Sequence, residues 1–181
     1  MRLETERLIL RKPELGDLDG YLQIWSDPEV VRFLGGRTQS REDVPHGIER
    51  MLKQWDRHGV GLFSVLRKED ERLVGRVGYL LWDPERWVNA MHEELEDPLE
   101  LEIGWVIASA FWNKGYATEA AAACRDHAFD ELGRDRVISL IAPENVASIR
   151  VAEKIGERYE RDVEIMVGPV GLYSLEKEPA R

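Results

Sequence analysis

Several features that would define other classes of protein are missing from this sequence. It has one cysteine, Cys124, which excludes an internal disulfide, and its four histidines form no metal-ligand spacing with that cysteine. No apolar run approaches the roughly 18 residues that cross a bilayer, and the polar N-terminus lacks the apolar stretch of a signal peptide. We therefore expect a cytoplasmic protein with no metal site, with Cys124 as a small core residue.

Positive charge is also scarce. The formal net charge is −10, and a phosphate polymer would be repelled by that excess, which argues against nucleic-acid binding. Between Arg86 and Lys114 there is no Lys or Arg. The sequence therefore favours a cationic substrate, although a solvated acidic loop explains the first four acidic residues of this gap equally well. The acidic residues in the gap are Glu93, Glu94, Glu96, Asp97, Glu100 and Glu102.

The chain has no Gly/Ser-rich or Pro-rich linker, no low-complexity tract and no internal repeat. Its 181 residues, 43% of them hydrophobic, can bury one substantial core. We therefore predict a single domain over residues 1–181. Two nucleotide-binding signatures are absent as well, because neither the Gly-x-x-x-x-Gly-Lys-Ser/Thr loop nor a dinucleotide-binding fingerprint occurs.

The most informative segment that is present runs from Phe111 to Ala120. It joins an alternating strand, Leu99 to Ile107, to an alanine-rich helix through Gly115. The first N–H groups of a helix lack intrahelical partners and lie at the positive end of its dipole. Gly115 lets the backbone approach a ligand closely, and the Thr118 hydroxyl adds a donor. We therefore predict a phosphate-binding site at the start of this helix.

The same segment resembles the pyrophosphate-binding loop of the GNAT superfamily of acyl-CoA-dependent N-acetyltransferases, whose pattern is Arg/Gln-x-x-Gly-x-Gly/Ala. Trp112-x-x-Gly115-x-Ala117 fits this pattern except at its first position. A tryptophan there is common in the branch that resembles the ribosomal-protein N-terminal (Rim-type) acetyltransferases. Taken without the family, the segment is interpreted almost as readily as an ordinary glycine turn before a core helix.

A second segment, from Asn145 to Gly156, resembles the family motif Asn-x-x-Ser-x-x-x-x-Glu-Lys-x-Gly. In the family, the residues that correspond to Asn145 and Ser148 face the thiol and pantetheine of the cofactor. From the residues alone, Asn145 is a good helix N-cap and Ser148 a tolerated first-turn residue. The Glu-Lys-Ile-Gly ending and the position after the glycine loop favour the functional interpretation.

Hydrophobic periodicity predicts the other elements. Strands are expected at residues 8–11, 62–66, 73–81, 99–107, 137–141, 159–163 and 168–175, and helices at 13–26, from 40 to about 59, from 116 to about 132, and at 145–154, with a short helical turn at 30–34. This order resembles the GNAT fold along nearly the whole chain. The resemblance implies an α/β (α+β) fold, a GNAT-like acyl-CoA N-acyltransferase fold, with a central mixed, mostly antiparallel sheet of about 6–7 strands flanked by about 4 helices.

The resemblance also implies a cofactor, acetyl-CoA, and the residues that hold it. The thioester would lie along the strand at 99–107, where a backbone N–H polarises its carbonyl oxygen. The cofactor-binding residues implied in this way are Trp105, Val106, Ile107, Trp112, Asn113, Lys114, Gly115, Tyr116, Ala117, Thr118, Asn145, Ser148 and Lys154.

Acyl transfer also needs a route for two protons. Glu102 lies just before the stretch from Trp105 to Ile107, whose backbone N–H groups would face the thioester. We predict that Glu102 accepts the amine proton directly or through a water molecule. An exposed strand carboxylate is the alternative. Many relatives carry a tyrosine acid seven residues after the motif asparagine, but this chain has Ala152 there. The resemblance then implies Ser148 as the donor to the leaving thiolate, with Tyr116 and Tyr173 as other candidates.

The missing tyrosine bears on the acceptor. An α-amino group has a pKa of about 7.7–8.0 and lysine about 10.4, so far more of the former is free base near pH 7. We therefore predict a primary amine acceptor, preferably an α-amino group of a peptide, a protein N-terminus or a small molecule. Dimers are frequent among relatives, so a homodimer is compatible with the resemblance. The acceptor-binding residues predicted are Phe33, Leu34, Trp82, Glu100 and Glu102.

Two other functions stay open from the sequence. A module that binds acyl-CoA without turnover is permitted by the missing tyrosine and the unusual Trp112. A small-molecule phosphotransferase could use the same helix end for a nucleotide, but no carboxylate pair suited to Mg²⁺ lies near the loop.

Overall fold

A computed structural model describes residues 1–178, which form one eight-stranded sheet with helices on both faces. The sheet order is β1-β2-β3-β4-β5-β6-β8-β7. Every neighbouring pair is antiparallel except β5 and β6. The strands are β1 (Arg2–Glu4), β2 (Leu8–Arg11), β3 (Leu62–Arg67), β4 (Leu73–Trp82), β5 (Glu100–Ile107), β6 (Arg136–Ile141), β7 (Arg158–Ile165) and β8 (Gly168–Glu176).

The described residues contain five α-helices and two short 3-10 turns. The predicted fold class is confirmed, with eight strands in place of six or seven and five helices in place of four. The additional strand, β1, has no apolar alternation and forms only because it pairs with the edge of β2. None of the helices is long and apolar enough to cross a bilayer. The helices are α1 (Leu18–Trp25), α2 (Pro28–Val31), α3 (Asp43–His58), α4 (Tyr116–Asp130) and α5 (Val146–Lys154).

Local chemistry sets the ends of α3. The backbone N–H and hydroxyl of Ser40 both donate to the Asp43 carboxylate at 2.9 Å, which fixes the turn that enters the helix. The helix ends at Gly59, whose φ of 70° is the left-handed conformation that glycine adopts without a steric cost. The sequence prediction of a helix from residue 40 to about 59 is therefore right to within a few residues.

The alternation along β4 and β5 assigns their side chains to two faces. Tyr79 and Ile103 are paired across the two strands and face α4, where they join the larger core cluster. Leu80 and Val106 belong to the opposite face, which packs on α1 and α3. Cys124 of α4 is fully buried in the larger cluster, so its predicted place in the core agrees with the structure.

The sheet opens between β5 and β6. These two parallel strands are paired at a single register position, Glu102 with Ile138. The Ser139 hydroxyl donates to the carbonyl oxygen of Ile103 at 2.8 Å, beside that position. Beyond it, the second half of β5 has no strand partner on its β6 side. This opening is where the predicted functional segments meet.

Candidate active site

Two connected hollows occupy the opening in the sheet. The larger is a cleft of about 500 Å³ between the start of α4, α5 and the loop after α2, and its volume is typical of a ligand site. The smaller is a cavity of about 110 Å³ between β4, β5 and β6. The two meet at Phe33, Leu34, Trp105, Val106, Asn145 and Ser148, which line both.

The glycine loop forms one wall of the cleft. Asn113 and Gly115 both have positive φ, 60° and 81°, which turns the chain sharply into α4. No side chain caps the N-terminus of α4, so its first N–H groups stay free to meet an anion. The Trp112 indole N–H donates to the carbonyl oxygen of Ile107 at 2.6 Å and so ties the loop to the end of β5.

An ion pair from the N-terminal segment holds this loop in place. Arg7 donates through its backbone N–H and its guanidinium to the carboxylate of Glu119, in the first turn of α4. Its guanidinium also donates to the carbonyl oxygen of Lys114 at 2.9 Å. The Lys114 ammonium itself donates to the carbonyl oxygen of Ala110 and does not line the cleft. The other predicted cofactor residues all line it.

Helix α5 forms the opposite wall. The Asn145 side chain accepts from the Ser148 N–H at 3.2 Å, so Asn145 is the N-cap as well as a lining residue. The Trp105 indole N–H donates to the Ser148 oxygen at 3.2 Å, which leaves the Ser148 hydroxyl proton free to be donated elsewhere. Arg150 also lines the cleft, one helical turn before the predicted Lys154. The sequence analysis did not predict Arg150.

Backbone direction places an N–H donor in the opening. The carbonyl oxygen of Ile103 is turned toward β6, because it accepts from Ser139. Backbone groups two residues apart on a strand point to the same side, so the N–H of Trp105 is turned the same way. No strand partner occupies that side. The Trp105 N–H is thus available to polarise a carbonyl oxygen where the cleft and the cavity meet.

Glu102 lines the smaller cavity and is buried, with 6% of its surface exposed. The Trp82 indole N–H donates to one carboxylate oxygen at 2.5 Å, and the Leu140 N–H approaches the other at 3.4 Å. Burial raises the pKa of Glu102 to about 7, although these donors favour the charged form. A carboxyl group with a pKa near the working pH is well suited to accept a proton and release it again.

The structure places two predicted acceptor residues outside the cavity. Glu100 lies on the same face of β5 but at its start, where it pairs with Arg136 at 3.4 Å. Trp82 is buried behind Glu102 and reaches the cavity only through its hydrogen bond to that carboxylate. Of the six acidic residues between Arg86 and Lys114, only Glu102 lines the cavity or the cleft. Phe33 and Leu34 do line the cavity.

The residue at the usual tyrosine position and the candidates for the missing acid differ in placement. Ala152 is fully buried on the core side of α5. Tyr116 lines the cleft with its ring nearly buried. Tyr173 packs against Tyr159 on the last hairpin and lines neither hollow. Ser148 and Tyr116 are therefore the candidates that line the cleft, although the Tyr116 hydroxyl interacts with Arg67, which lines neither hollow.

A second buried carboxyl group lies behind the cavity. Glu157 is fully buried, one of its oxygens lies 3.1 Å from the Ser139 hydroxyl oxygen, and the other has no hydrogen-bond partner. Burial raises the pKa of Glu157 to about 8, opposed by the Ser139 hydrogen bond and helped by the nearby Glu102. No motif pointed to Glu157, because it meets Ser139 only through the packing of β6.

We expect Glu157→Gln to stabilise the protein at alkaline pH. The folded-state pKa lies above the unfolded value of about 4.3, so the folded state binds more protons between these values and loses stability as pH rises to about 8. Glutamine does not ionise. The variant should match wild type below about pH 4 and gain up to about 5 kcal/mol in the free energy of unfolding at pH 9, because each pKa unit between the two values is worth about 1.4 kcal/mol. Urea unfolding at both pH values measures this.

The matched control is Glu153→Gln, which neutralises an exposed carboxylate four residues earlier. It should give no gain that grows with pH. Equal pH dependence in the Glu157 variant and wild type would show that Glu157 is ionised in the folded protein without a cost.

Comparison with known proteins identifies the family. A sequence profile described as "Acetyltransferase (GNAT) domain" matches residues 7–158. The "Uncharacterized N-acetyltransferase p20" of Bacillus licheniformis is 31% identical over 182 residues, covering 97% of this chain and 96% of that protein. The chain belongs to the GNAT family of acetyltransferases.

Solved structures agree with this assignment. The GNAT-family acetyltransferase from Bacillus anthracis superposes with a TM-score of 0.78 at 28% identity, covering 97% of this chain and 98% of that chain. The aminoglycoside acetyltransferase AAC(6')-Ib, solved in complex with coenzyme A, gives a TM-score of 0.75 at 18% identity, covering 94% and 95%. At that identity the likeness shows the shared fold.

The protein is therefore an acetyl-CoA-dependent N-acetyltransferase. The cleft fits that cosubstrate on its own chemistry. The uncapped start of α4 suits the pyrophosphate, and the cationic side chains of Arg150 and Lys154 line the opposite wall. The cleft joins the cavity that contains Glu102 at Trp105 and Ser148, which line both hollows.

Proposed function

We propose that this enzyme acetylates the α-amino group of a small molecule, a peptide or a protein N-terminus by direct attack in a ternary complex, as in the Rim-type branch that its glycine loop resembles. The observation that carries the proposal is the junction of the two hollows. One contains the phosphate-binding features, the other contains a buried carboxylate, and they share the Trp105 and Ser148 side chains.

We assign one residue to each step. Acetyl-CoA supplies the acetyl group as a thioester. Glu102 takes the proton of the entering ammonium, so that the neutral nitrogen can form the new C–N bond. The Trp105 N–H stabilises the negative charge that develops on the carbonyl oxygen. As the C–S bond breaks, the Ser148 hydroxyl, supported by the Trp105 indole, donates its proton to the leaving sulfur, and the second proton of the attacking nitrogen replaces it. Glu102 then returns the first proton to solvent.

The acid–base properties of Glu102 support an α-amine. Its pKa of about 7 lies close to the value of about 7.7–8.0 for the α-amino group of a peptide and more than three units below the lysine value. Proton transfer to Glu102 from a peptide α-ammonium is therefore only slightly uphill, and each further unit of basicity costs about 1.4 kcal/mol. A free amino acid lies between the peptide and lysine, because its adjacent carboxylate stabilises the ammonium.

A screen of CoA thiol release tests the proposal. Purified protein is incubated with acetyl-CoA and, in turn, amino acids, N-terminal peptides, polyamines and aminoglycosides, and the released thiol is measured with a coloured thiol reagent. Acetylation of α-amines in preference to lysine side chains supports the proposal. Preference for lysine or polyamines contradicts it, and release with no amine at all leaves a protein that only binds acetyl-CoA.

We expect Ser148→Ala to lower turnover more than it weakens acetyl-CoA binding. The hydroxyl is positioned by Trp105, and its proton is needed only when the sulfur departs. A loss of about tenfold to a hundredfold in kcat is expected, with the acetyl-CoA dissociation constant changed far less. Steady-state rates and calorimetry on the same preparation measure the two effects. Equal kcat in both proteins would leave Ser148 as a first-turn helix residue.

A further inference from the structure

Arg76 of β4 is a cation in the smaller cavity that forms no direct ion pair, although Glu102 in the same cavity attracts it from a greater distance. Its side chain lines the cavity beside Glu102 and Gly104, and it does not line the cofactor cleft. Within residues 1–178, no carboxylate lies within 4.0 Å of it. The guanidinium carbon lies 4.5 Å from the Trp25 ring centre, and one of its nitrogens lies 3.9 Å from the Met51 sulfur.

Asp17 lies in the adjoining network, and its carboxylate is already paired. It accepts from both terminal nitrogens of the Arg11 guanidinium and from the Ser64 hydroxyl at 2.6 Å. That network ends at the Tyr21 hydroxyl, which Ser64 contacts at 2.9 Å. Ser64 is paired with Arg76 across β3 and β4, yet no charge of this network pairs with Arg76.

A second guanidinium increases the excess of positive charge. Arg50 of α3 forms no ion pair among the described residues, and its buried Nε has no hydrogen-bond partner. Burial lowers the pKa of Arg76 to about 10, opposed by Tyr21 and by the Glu102 carboxylate, and the charge of Arg50 acts in the same direction as burial. Buried charges in proteins are normally paired or hydrogen-bonded. This end of the cavity therefore suits an anionic group that the protein does not itself supply.

Strand register gives the distance between the two ends of the cavity. Arg76 is opposite Val106, and Glu102 is opposite Leu80, so the two charged residues are four positions apart along adjacent strands, about 13 Å in the strand direction. Their side chains extend from the same face of the sheet, and each charge acts on the pKa of the other across the cavity. Between them lies Gly104, where no side chain fills the space. Its partner Gly78 is packed tightly, because a Cβ atom there would lie 2.6 Å from the carbonyl oxygen of Gly61.

Gly104 keeps the middle of the cavity open. A Cβ atom there would lie 3.5 Å from the Leu80 side chain and 3.7 Å from a Glu102 oxygen, which are ordinary contacts. Its φ is not in the left-handed region, so the backbone would accept alanine. The absence of a side chain thus makes room for a ligand without being required by the fold.

We propose that the acceptor is a free amino acid, whose ammonium group faces Glu102 and whose carboxylate is bound by Arg76. The proposal rests on the proposed acetyltransferase function and selects one acceptor class within it. A planar guanidinium binds a carboxylate through two parallel hydrogen bonds. A peptide N-terminus carries an uncharged amide at that place and leaves Arg76 unpaired. The sequence analysis predicted a cationic substrate, whereas this proposal gives a zwitterionic one.

Three matched probes test this: leucine, leucinamide and 3-methylbutylamine, which share a side chain and differ in the carboxylate. Rates are divided by the neutral fraction of each amine, because the three differ in basicity. We expect kcat/KM for leucine to exceed that of the other two by about tenfold to a hundredfold, as for a hydrogen-bonded charge pair. Arg76→Gln should reduce this ratio to near one, and Arg76→Lys should retain part of it.

Arg57→Gln is the matched control, since Arg57 is exposed at the end of α3 and lines neither hollow. It should keep the wild-type ratio. Gly104→Ala tests the cavity separately and should raise KM for leucine several-fold without changing acetyl-CoA affinity. A wild-type ratio near one, or an unchanged ratio in Arg76→Gln, overturns the proposal.

Calorimetry with the same probes separates the two proposals. If leucine binds and 3-methylbutylamine does not, while no probe releases CoA thiol, the carboxylate site stands and the acetyltransferase assignment to amino acids fails. If all three probes are acetylated at equal rates, the acetyltransferase function stands and the carboxylate site fails.

Discussion

Gly115→Val is expected to abolish the binding of acetyl-CoA that calorimetry can detect, while leaving the fold intact. Gly115 has a φ of 81°, which costs a β-branched residue about 1–2 kcal/mol or more, and a Cβ atom there would lie 3.4 Å from the Arg7 guanidinium. Relief of that strain turns the first N–H groups of α4 away from the pyrophosphate. Circular dichroism would show whether the helices are retained.

Gly133→Val is the matched control for this loss. Gly133 follows the same helix, has a φ of 62°, and has open space around its Cβ position. The control carries similar backbone strain far from the cleft, so it should lose stability and keep acetyl-CoA affinity. Unchanged affinity in Gly115→Val would show that the glycine loop is not the pyrophosphate site.

Glu102→Gln is expected to lower kcat/KM by about a hundredfold or more at pH 7, because it keeps the shape of the side chain and removes the proton acceptor. In wild type, activity should fall as pH drops below about 7, where Glu102 is protonated and cannot accept a proton. In the variant, the deficit should shrink as pH passes the pKa of the amine, because solution then supplies the free base. Rate profiles from about pH 6 to 9.5 measure this.

Glu100→Gln provides the comparison, since Glu100 lies on the same face of β5, pairs with Arg136, and lines neither hollow. It should keep the wild-type pH profile. A Glu102 variant whose deficit lies in KM and shrinks with salt would show that Glu102 only attracts the ammonium. A variant equal to wild type at every pH would remove Glu102 from the chemistry.

The order of the elements was largely predictable from the sequence, because most elements carry their own local signal. Strand β5 alternates apolar and polar residues, and α3 has a capping turn at Ser40 and a glycine at its end. Strand β1 was missed, since it has three residues and no apolar period. It forms by pairing with β2, and a segment of three residues is too short for its sequence to indicate a pairing partner.

The site was predictable only where a contiguous motif encodes it. The glycine loop and the Asn145 segment are short and sequential, so their residues could be named in advance, and most of them line the cleft. Arg76 and Glu157 carry no motif. Arg76 meets Glu102 through the register of β4 and β5, and Glu157 meets Ser139 through the packing against β6. The placement of these side chains depends on the register and packing of the folded chain, which the sequence does not show.

The burial of Cys124 has a practical consequence for the experiments described above. Burial raises the pKa of its thiol, so the folded protein holds almost no thiolate and shields what it has from reagents. A coloured thiol reagent added to native enzyme should therefore report released coenzyme alone. After denaturation the same reagent should react with one additional thiol per chain. A slow background reaction in a variant would therefore measure the fraction of molecules that have unfolded enough to expose Cys124.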